Sequence, residues 1–377
     1  MKSIKTLILS FSIATAITAG ADAQTVVTIT GSTAFRSATH NAIKNVLTSS
    51  GTPSIAHTGA SLSSASQAIF KGSIAGNQVI IKTGWSGSVA GVQTVSKGIA
   101  VNFLSNTVIV DGATTPSVAT GTESLVPDVA MSDTFQSATP FTSPVLNDQT
   151  VGVIAFKWVA SKGSPAGLSN MTQQLAQALY GNGSLPLAFF TGTTADKTAT
   201  VFATGRDPLS GTRLTAFAES GVGVAATVVQ YKPTITSGAV TSHVVWPAET
   251  VNAIAFAEGN SGYTSGSSLV TTMQATTSAI GGYYVSYMGV SDADSAIAGG
   301  AVELNWNGVQ YSLSNVKEGK YTFWGYQHLM YQSTLAGTKK TVADAIANQI
   351  KNVDSPILLS DMKVERPADG GLIAPRY

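Results

Sequence analysis

The chain contains no cysteine. Disulfides, thiolate metal ligands and lipid attachment through an N-terminal cysteine are therefore excluded. Charge is also scarce: Asp, Glu, Lys and Arg make up 11% of the 377 residues, so hydroxyls must solvate much of the surface. Neither sign dominates. Removing Lys2, Lys5 and Asp22 with a signal segment turns 21 basic and 20 acidic residues into 19 of each, and no Lys/Arg-rich run occurs. That balance argues against nucleic acid and against an anionic membrane surface as partners. The four histidines (His40, His57, His243 and His328) are dispersed without metal-ligand spacing and read as structural or exposed. The five tryptophans read as core or interface residues. No Gly-x-Ser-x-Gly elbow, no phosphate loop with its Lys and no His-Glu-x-x-His occurs. Carboxylates offer no obvious acid/base pair. The expectation is a protein that is not an enzyme and uses neither metal nor cofactor.

Long apolar runs are missing beyond the first residues. Lys2 and Lys5 precede an apolar stretch from Leu7 to Ile17, and Ala21-Asp22-Ala23 is a small-x-small cleavage site. Residues 1–23 therefore read as a signal peptide cleaved after Ala23, which places the remainder in the periplasm or outside the cell. About 350 residues are left, enough for two domains or lobes.

Strand and helix signals alternate in what remains. Val26 to Thr30 reads as a strand ending in Gly31-Ser32-Thr33-Ala34-Phe35, followed by a helix with Ile43, Val46 and Leu47 at i, i+3, i+4. Val79-Ile80-Ile81 leads to Gly84-Trp85-Ser86-Gly87-Ser88, and Val89, Val92 and Val95 continue at helical spacing to Gly98. Val126 to Met131 ends in Ser132-Asp133. Three strands that end in small polar residues are the pattern of an open α/β sheet with ligand groups at its strand ends. Residues 151–160 predict a long strand. Thr172 is the N-cap of a helix expected to stop at Gly181, Tyr283 to Met288 predicts another strand, and 341–352 the last helix. Residues 225–275 read as strands and loops, and 101–125 as an insertion.

The richest stretch is Arg206-Asp207-Pro208-Leu209-Ser210-Gly211-Thr212. Leu214, Phe217 and Ala218 give a helical stripe that Gly221 can stop. A helix start leaves N–H groups unpaired and carries partial positive charge. The hydroxyls of Ser210 and Thr212 and the guanidinium of Arg206 add donors. Together they suit a small tetrahedral oxyanion.

In this order these segments resemble the periplasmic phosphate-binding proteins of Pst-type ABC transporters. The resembling elements are Gly31 to Phe35, Gly84 to Ser88, Met131-Ser132-Asp133, Asn170 to Gly181, Arg206 to Thr212, Ile280 to Val285 and Tyr311 to Trp324. The resemblance implies a two-lobe periplasmic binding protein fold of type II. Lobe one would hold 24–150 and 290–377, and lobe two 151–289, with crossing strands near 151–159 and 283–288. It implies phosphate contacts from Ser32, Thr33, Ala34, Ser86 or Ser88, Asp133, Arg206, Ser210, Gly211 and Thr212, and a monomer that serves an ABC permease in the inner membrane. Asp133 would accept the phosphate O–H. Sulfate lacks that proton and would face the carboxylate unpaired. The acid often found two residues after the arginine is Pro208 here, leaving Asp207 as the candidate to hold Arg206. Two alternatives stand beside this reading: a secreted or surface structural protein on the same fold, and a phosphatase on a phosphate-binding scaffold.

Overall fold

The structure is a computed structural model that describes residues 24–376; the expected signal peptide lies outside them. In chain order the elements that position the site are β1 (Thr25–Gly31), α1 (Arg36–Thr48), β2 (Asn77–Trp85), α2 (Ser88–Lys97), β3 (Val129–Ser132) and β4 (Asn147–Ala160). They continue with α3 (Gln173–Asn182), β5 (Thr200–Ala203), α4 (Gly211–Ser220), β6 (Gly282–Gly289), α5 (Val290–Ala298), β7 (Trp324–Tyr331) and α6 (Gly337–Gln349).

β-Branched residues in β1 favour an extended backbone, and its Val27 and Ile29 are fully buried. β1 lies parallel to both β2 and β3. It ends at Gly31, with φ +116°, where a Cβ would stand 2.0 Å from the Met131 carbonyl oxygen; only glycine lets the two strand ends approach so closely. Beyond β2 the sheet continues with antiparallel strands Gln67–Ile74 and Ser54–His57. On the other side β7 runs antiparallel to β3 and pairs with β4 along nearly its whole length, with a bulge between Gln327 and His328. β6 and the strand Val302–Trp306 then pair with the C-terminal half of β4, and β5 lies parallel to β6. One mixed sheet therefore threads the molecule, flanked by helices.

Two large cores lie along it. The first joins Val27, Ile29, Ile43, Ile81, Met131 and Leu329 to Val342 and Ile346 of α6. The second gathers Trp158, Tyr180, Phe217, Tyr287, Trp306 and Phe323. Trp158 is its centre, with the rings of Phe323, Tyr287 and Trp306 at 5.6, 5.7 and 5.8 Å. Burying such rings is worth more per residue than any aliphatic contact. Leu304, Val316 and Tyr321 also belong to this second core. A smaller cluster, Val89 and Ala90 with Leu209, Leu214 and Phe256, ties the start of α2 to the approach to α4.

Local signals match the helices with two differences. Thr172 caps α3 by accepting from the Leu175 N–H at 3.2 Å, but the helix runs through Gly181 and stops at Gly183, whose left-handed φ of +81° releases the chain. α6 starts at Gly337, earlier than the apolar row shows, because its first turn carries only small and polar side chains. Within 101–125, Val101–Leu104 and Thr122–Leu125 form an antiparallel pair, and Ser117–Val118 extends the main sheet. Among the described residues no helix is long and apolar enough to cross a membrane.

Candidate functional site

The ends of β1, β2 and β3 meet the start of α4. Ser210 is the N-cap of that helix: its hydroxyl accepts from the Arg213 N–H at 3.3 Å, and Gly221 closes the other end with φ +69°. Ser32, just after β1, donates its hydroxyl to Asp133 Oδ1 at 2.5 Å. Gln327, on β7, donates to the same oxygen at 2.8 Å. The Asp133 N–H donates to the Ser88 hydroxyl at 3.0 Å. Gly211 closes the group, since a Cβ there would stand 2.3 Å from Ser88 Oγ and 3.1 Å from Asp133 Cβ. Five segments separated widely in sequence are thus packed into one buried polar cluster.

Arg206 lies beside it, 2% exposed. Its Nε donates to the Tyr263 carbonyl at 2.9 Å, and its Nη2 to the Thr264 carbonyl at 2.8 Å and the Thr33 hydroxyl at 3.4 Å. Asp207 does not hold it. The Asp207 carboxylate instead accepts the Leu209 N–H at 2.8 Å, shaping the turn into α4. A two-residue bridge between Gly205–Asp207 and Tyr263 fixes the arginine's backbone, so carbonyls do the work expected of an acid. Gln230 and Arg213 both bond the Arg206 carbonyl, at 3.2 Å each, locking the loop from below.

Burial raises the Asp133 carboxyl above the usual carboxylate range, while hydrogen bonds from Ser32, Gln327 and Ser88 and the charge of Arg206 pull the other way. Arg206 therefore reaches Asp133 through its field, without an ion pair between them. Asp207 is raised for the same reason, burial first, against the nearby charge of Arg206.

Of the residues singled out from sequence, Ser32, Ser88, Asp133 and Gly211 are in direct contact, and Arg206 joins through Thr33. Ser210 and Thr212 are buried in the first turn of α4. Ser86 faces elsewhere: its hydroxyl is 3.1 Å from that of Thr30, so of the two serines it is Ser88 that stands against the carboxylate. Ala34 turns its methyl towards Gly289 and a neighbouring cleft. The start of α2 is occupied by protein, as the Val89 and Ala90 N–H groups point to the Leu209 carbonyl at 3.1 and 3.4 Å. Gln327 and the Tyr263 and Thr264 carbonyls were not foreseen. A buried glutamine in an aromatic strand is a readable signal; a carbonyl has no side-chain signature at all.

The histidines have structural partners: His40 sits between the Leu62 carbonyl and the Thr83 hydroxyl at 2.8 Å each, and His328 is fully buried against Asp148.

No family model and no curated protein matches the chain. Solved structures do. A protein described as a phosphate ABC transporter substrate-binding protein with bound phosphate, from Clostridium perfringens, aligns over 89% of this chain and 99% of its own, with 14% identity and a TM-score of 0.51. An ABC-type phosphate transport receptor from Vibrio cholerae aligns over 85% and 93%, with 15% identity and a TM-score of 0.47. The regulatory domain of CcmR from Synechocystis, in complex with 2-PG, aligns over 88% and 98%, with 9% identity and a TM-score of 0.43. The first of these carries the fold: the chain shares its mixed α/β architecture, a large mixed sheet flanked by helices.

Proposed function

We propose that this chain is a secreted or periplasmic substrate-binding protein that captures inorganic phosphate, or a similar small oxyanion, between two lobes and delivers it to an ABC permease. In this reading residues 24–150 and 290–377 form lobe one and 151–289 lobe two; the packing of Leu304, Trp306 and Phe323 with Trp158 in the second core favours a boundary beyond them. The observation that supports the reading is the buried convergence of the Arg206 guanidinium, the Asp133 carboxyl and several hydroxyls from both cores around a helix start. Ser32 and Gln327 both use Asp133 Oδ1, which leaves Oδ2 to accept a ligand O–H. Arg206 offsets the ligand's charge and the α4 N-terminus supplies N–H donors. A fully protonated ligand hydroxyl satisfies the carboxylate; sulfate at neutral pH does not, and rejection by about 10⁴-fold is within reach of such a site. This reading expects no turnover of phosphate esters.

One observation favours a second reading, a structural protein on the same fold. The Leu209 carbonyl already takes two N–H groups at the start of α2. Isothermal titration decides between them. Phosphate should bind, sulfate should compete far more weakly, and Arg206→Gln should cost about 2–5 kcal/mol of affinity. No heat and no thermal shift with phosphate would overturn the transport reading and leave the structural one.

A further inference from the structure

Next to the cluster, and sharing Thr33 with it, is a separate cleft of about 380 Å³. Its size suits a small organic molecule. Two helices begin on it, α1 and α5, and neither N-cap residue, Phe35 or Gly289, caps its helix with a side chain. Arg36, the first residue of α1, is 8% exposed and lines the cleft, and its Nε is buried without a hydrogen-bond partner. A buried N–H left without an acceptor is costly, so this one marks a place for a ligand oxygen.

Opposite stands Asp292, in the first turn of α5. It interacts with Arg36 and Arg206 through charge alone, with no hydrogen bond to either. Its Oδ2 lies against Gly266, where a Cβ would come within 1.9 Å, at the start of the helix Gly266–Gln274; burial raises the Asp292 carboxyl above the usual carboxylate range, against the charges of Arg206 and Arg36. The neighbouring Asp294 is already committed, since Lys157 donates to it at 2.7 Å and to Glu303 at 2.7 Å, while standing over the Tyr311 ring. Among the residues lining it, the cleft thus offers a cation and an anion that share no hydrogen bond with each other, with an apolar wall of Ile154, Leu313 and Ile357.

The geometry points to a second ligand site, in this cleft, for a zwitterion of α-amino-acid type. The carboxylate would meet Arg36 and the start of α1, the ammonium Asp292, and an aliphatic side chain the apolar wall. A lone anion would satisfy Arg36 but face Asp292; a zwitterion answers both charges. This goes beyond the phosphate reading and does not depend on it.

The test is isothermal titration with L-leucine, 4-methylpentanoate, isoamylamine and inorganic phosphate. L-Leucine should bind, and the two analogues, each lacking one charged group, should bind at least tenfold more weakly. Arg36→Gln and Asp292→Asn should each weaken L-leucine at least tenfold, with circular dichroism unchanged. Phosphate affinity should change less than L-leucine affinity in both variants, because Arg36 and Asp292 reach Arg206 only through charge and hydrogen-bond no group of the Asp133 cluster. Absence of L-leucine binding, equal binding of 4-methylpentanoate, or insensitivity to both substitutions overturns the proposal. Loss of phosphate binding in the wild type alone would overturn the preceding section and leave this one standing.

Discussion

Gly211→Ala is the most direct probe of how the two cores meet. The new methyl would sit 2.3 Å from Ser88 Oγ, 2.6 Å from Ser88 Cβ and 3.1 Å from Asp133 Cβ. Rotating the Ser88 hydroxyl away relieves only the first contact. The Cβ–Cβ overlap remains, so the starts of α2 and α4 must separate by several tenths of an ångström. Overpacking of that kind costs about 1–3 kcal/mol. The helix itself gains from alanine, by up to about 1 kcal/mol, but that gain is small at a first-turn position. The cost falls on the arrangement in which the cores touch, and much less on each core alone. A closed state destabilised by that amount weakens any ligand that needs closure by about 5- to 150-fold. Phosphate titration reads the affinity, and denaturant melts followed by tryptophan emission read the stability. Ser88→Gly removes the clashing Cβ but also the acceptor of the Asp133 N–H, so the comparison is made on that background: Gly211→Ala should cost far less there than in the wild type. An alanine at 211 that changes neither affinity nor stability, or one that costs as much in the Ser88→Gly background as in the wild type, would refute the close contact between Gly211 and Ser88 and with it the site's construction.

Asp369, whose carboxyl feels the charge of Asp133, tests the electrostatics of the buried acids. Burial raises its carboxyl from 3.8 to about 6, with the charge of His328 and the Phe135 N–H opposing. The folded state therefore holds a proton that the unfolded chain gives up, and stability falls as pH rises from about 4 to about 6, remaining lower above that. Asp369→Asn keeps an acceptor for Phe135 and should match the wild type near pH 4 yet exceed it by at most about 3 kcal/mol at pH 7; parallel pH dependences in urea melts would contradict this. Trp158→Ala should cost about 3–5 kcal/mol and shift the denaturant midpoint accordingly, since the ring is fully buried among Tyr287, Trp306 and Phe323. A shift under 1 kcal/mol would show that these rings do not form one core.

Elements whose signal is local were legible in the sequence. The apolar row Leu214-Phe217-Ala218 with Ser210 before it and Gly221 after it carries both caps of α4, and the structure puts the ends where those residues stand. The β-branched run of β1 and the long apolar run of β4 were equally plain. Of the site, Asp133 and Ser32 were legible as strand-end polar residues, and they do touch. What could not be read is the pairing that depends on three-dimensional neighbours. Asp207 was expected to hold Arg206 because it is adjacent and acidic, yet its nearest unpaired donor is the Leu209 N–H two residues on, and the arginine finds carbonyls from a loop more than fifty residues away. The extent of β7 was missed for a related reason: Trp-Gly-Tyr-Gln-His mixes polar and aromatic residues because each neighbour strand covers it differently.

The two cores are strung on a common ladder, β4 against β7, rather than on separate flexible linkers. A hydrogen-bonded ribbon resists stretching but twists easily, and it yields first where its register slips. That slip falls between Gln327 and His328, and Gln327 is the residue whose amide grips Asp133. The irregular point of the ladder and the grip on the buried acid therefore fall on a single side chain.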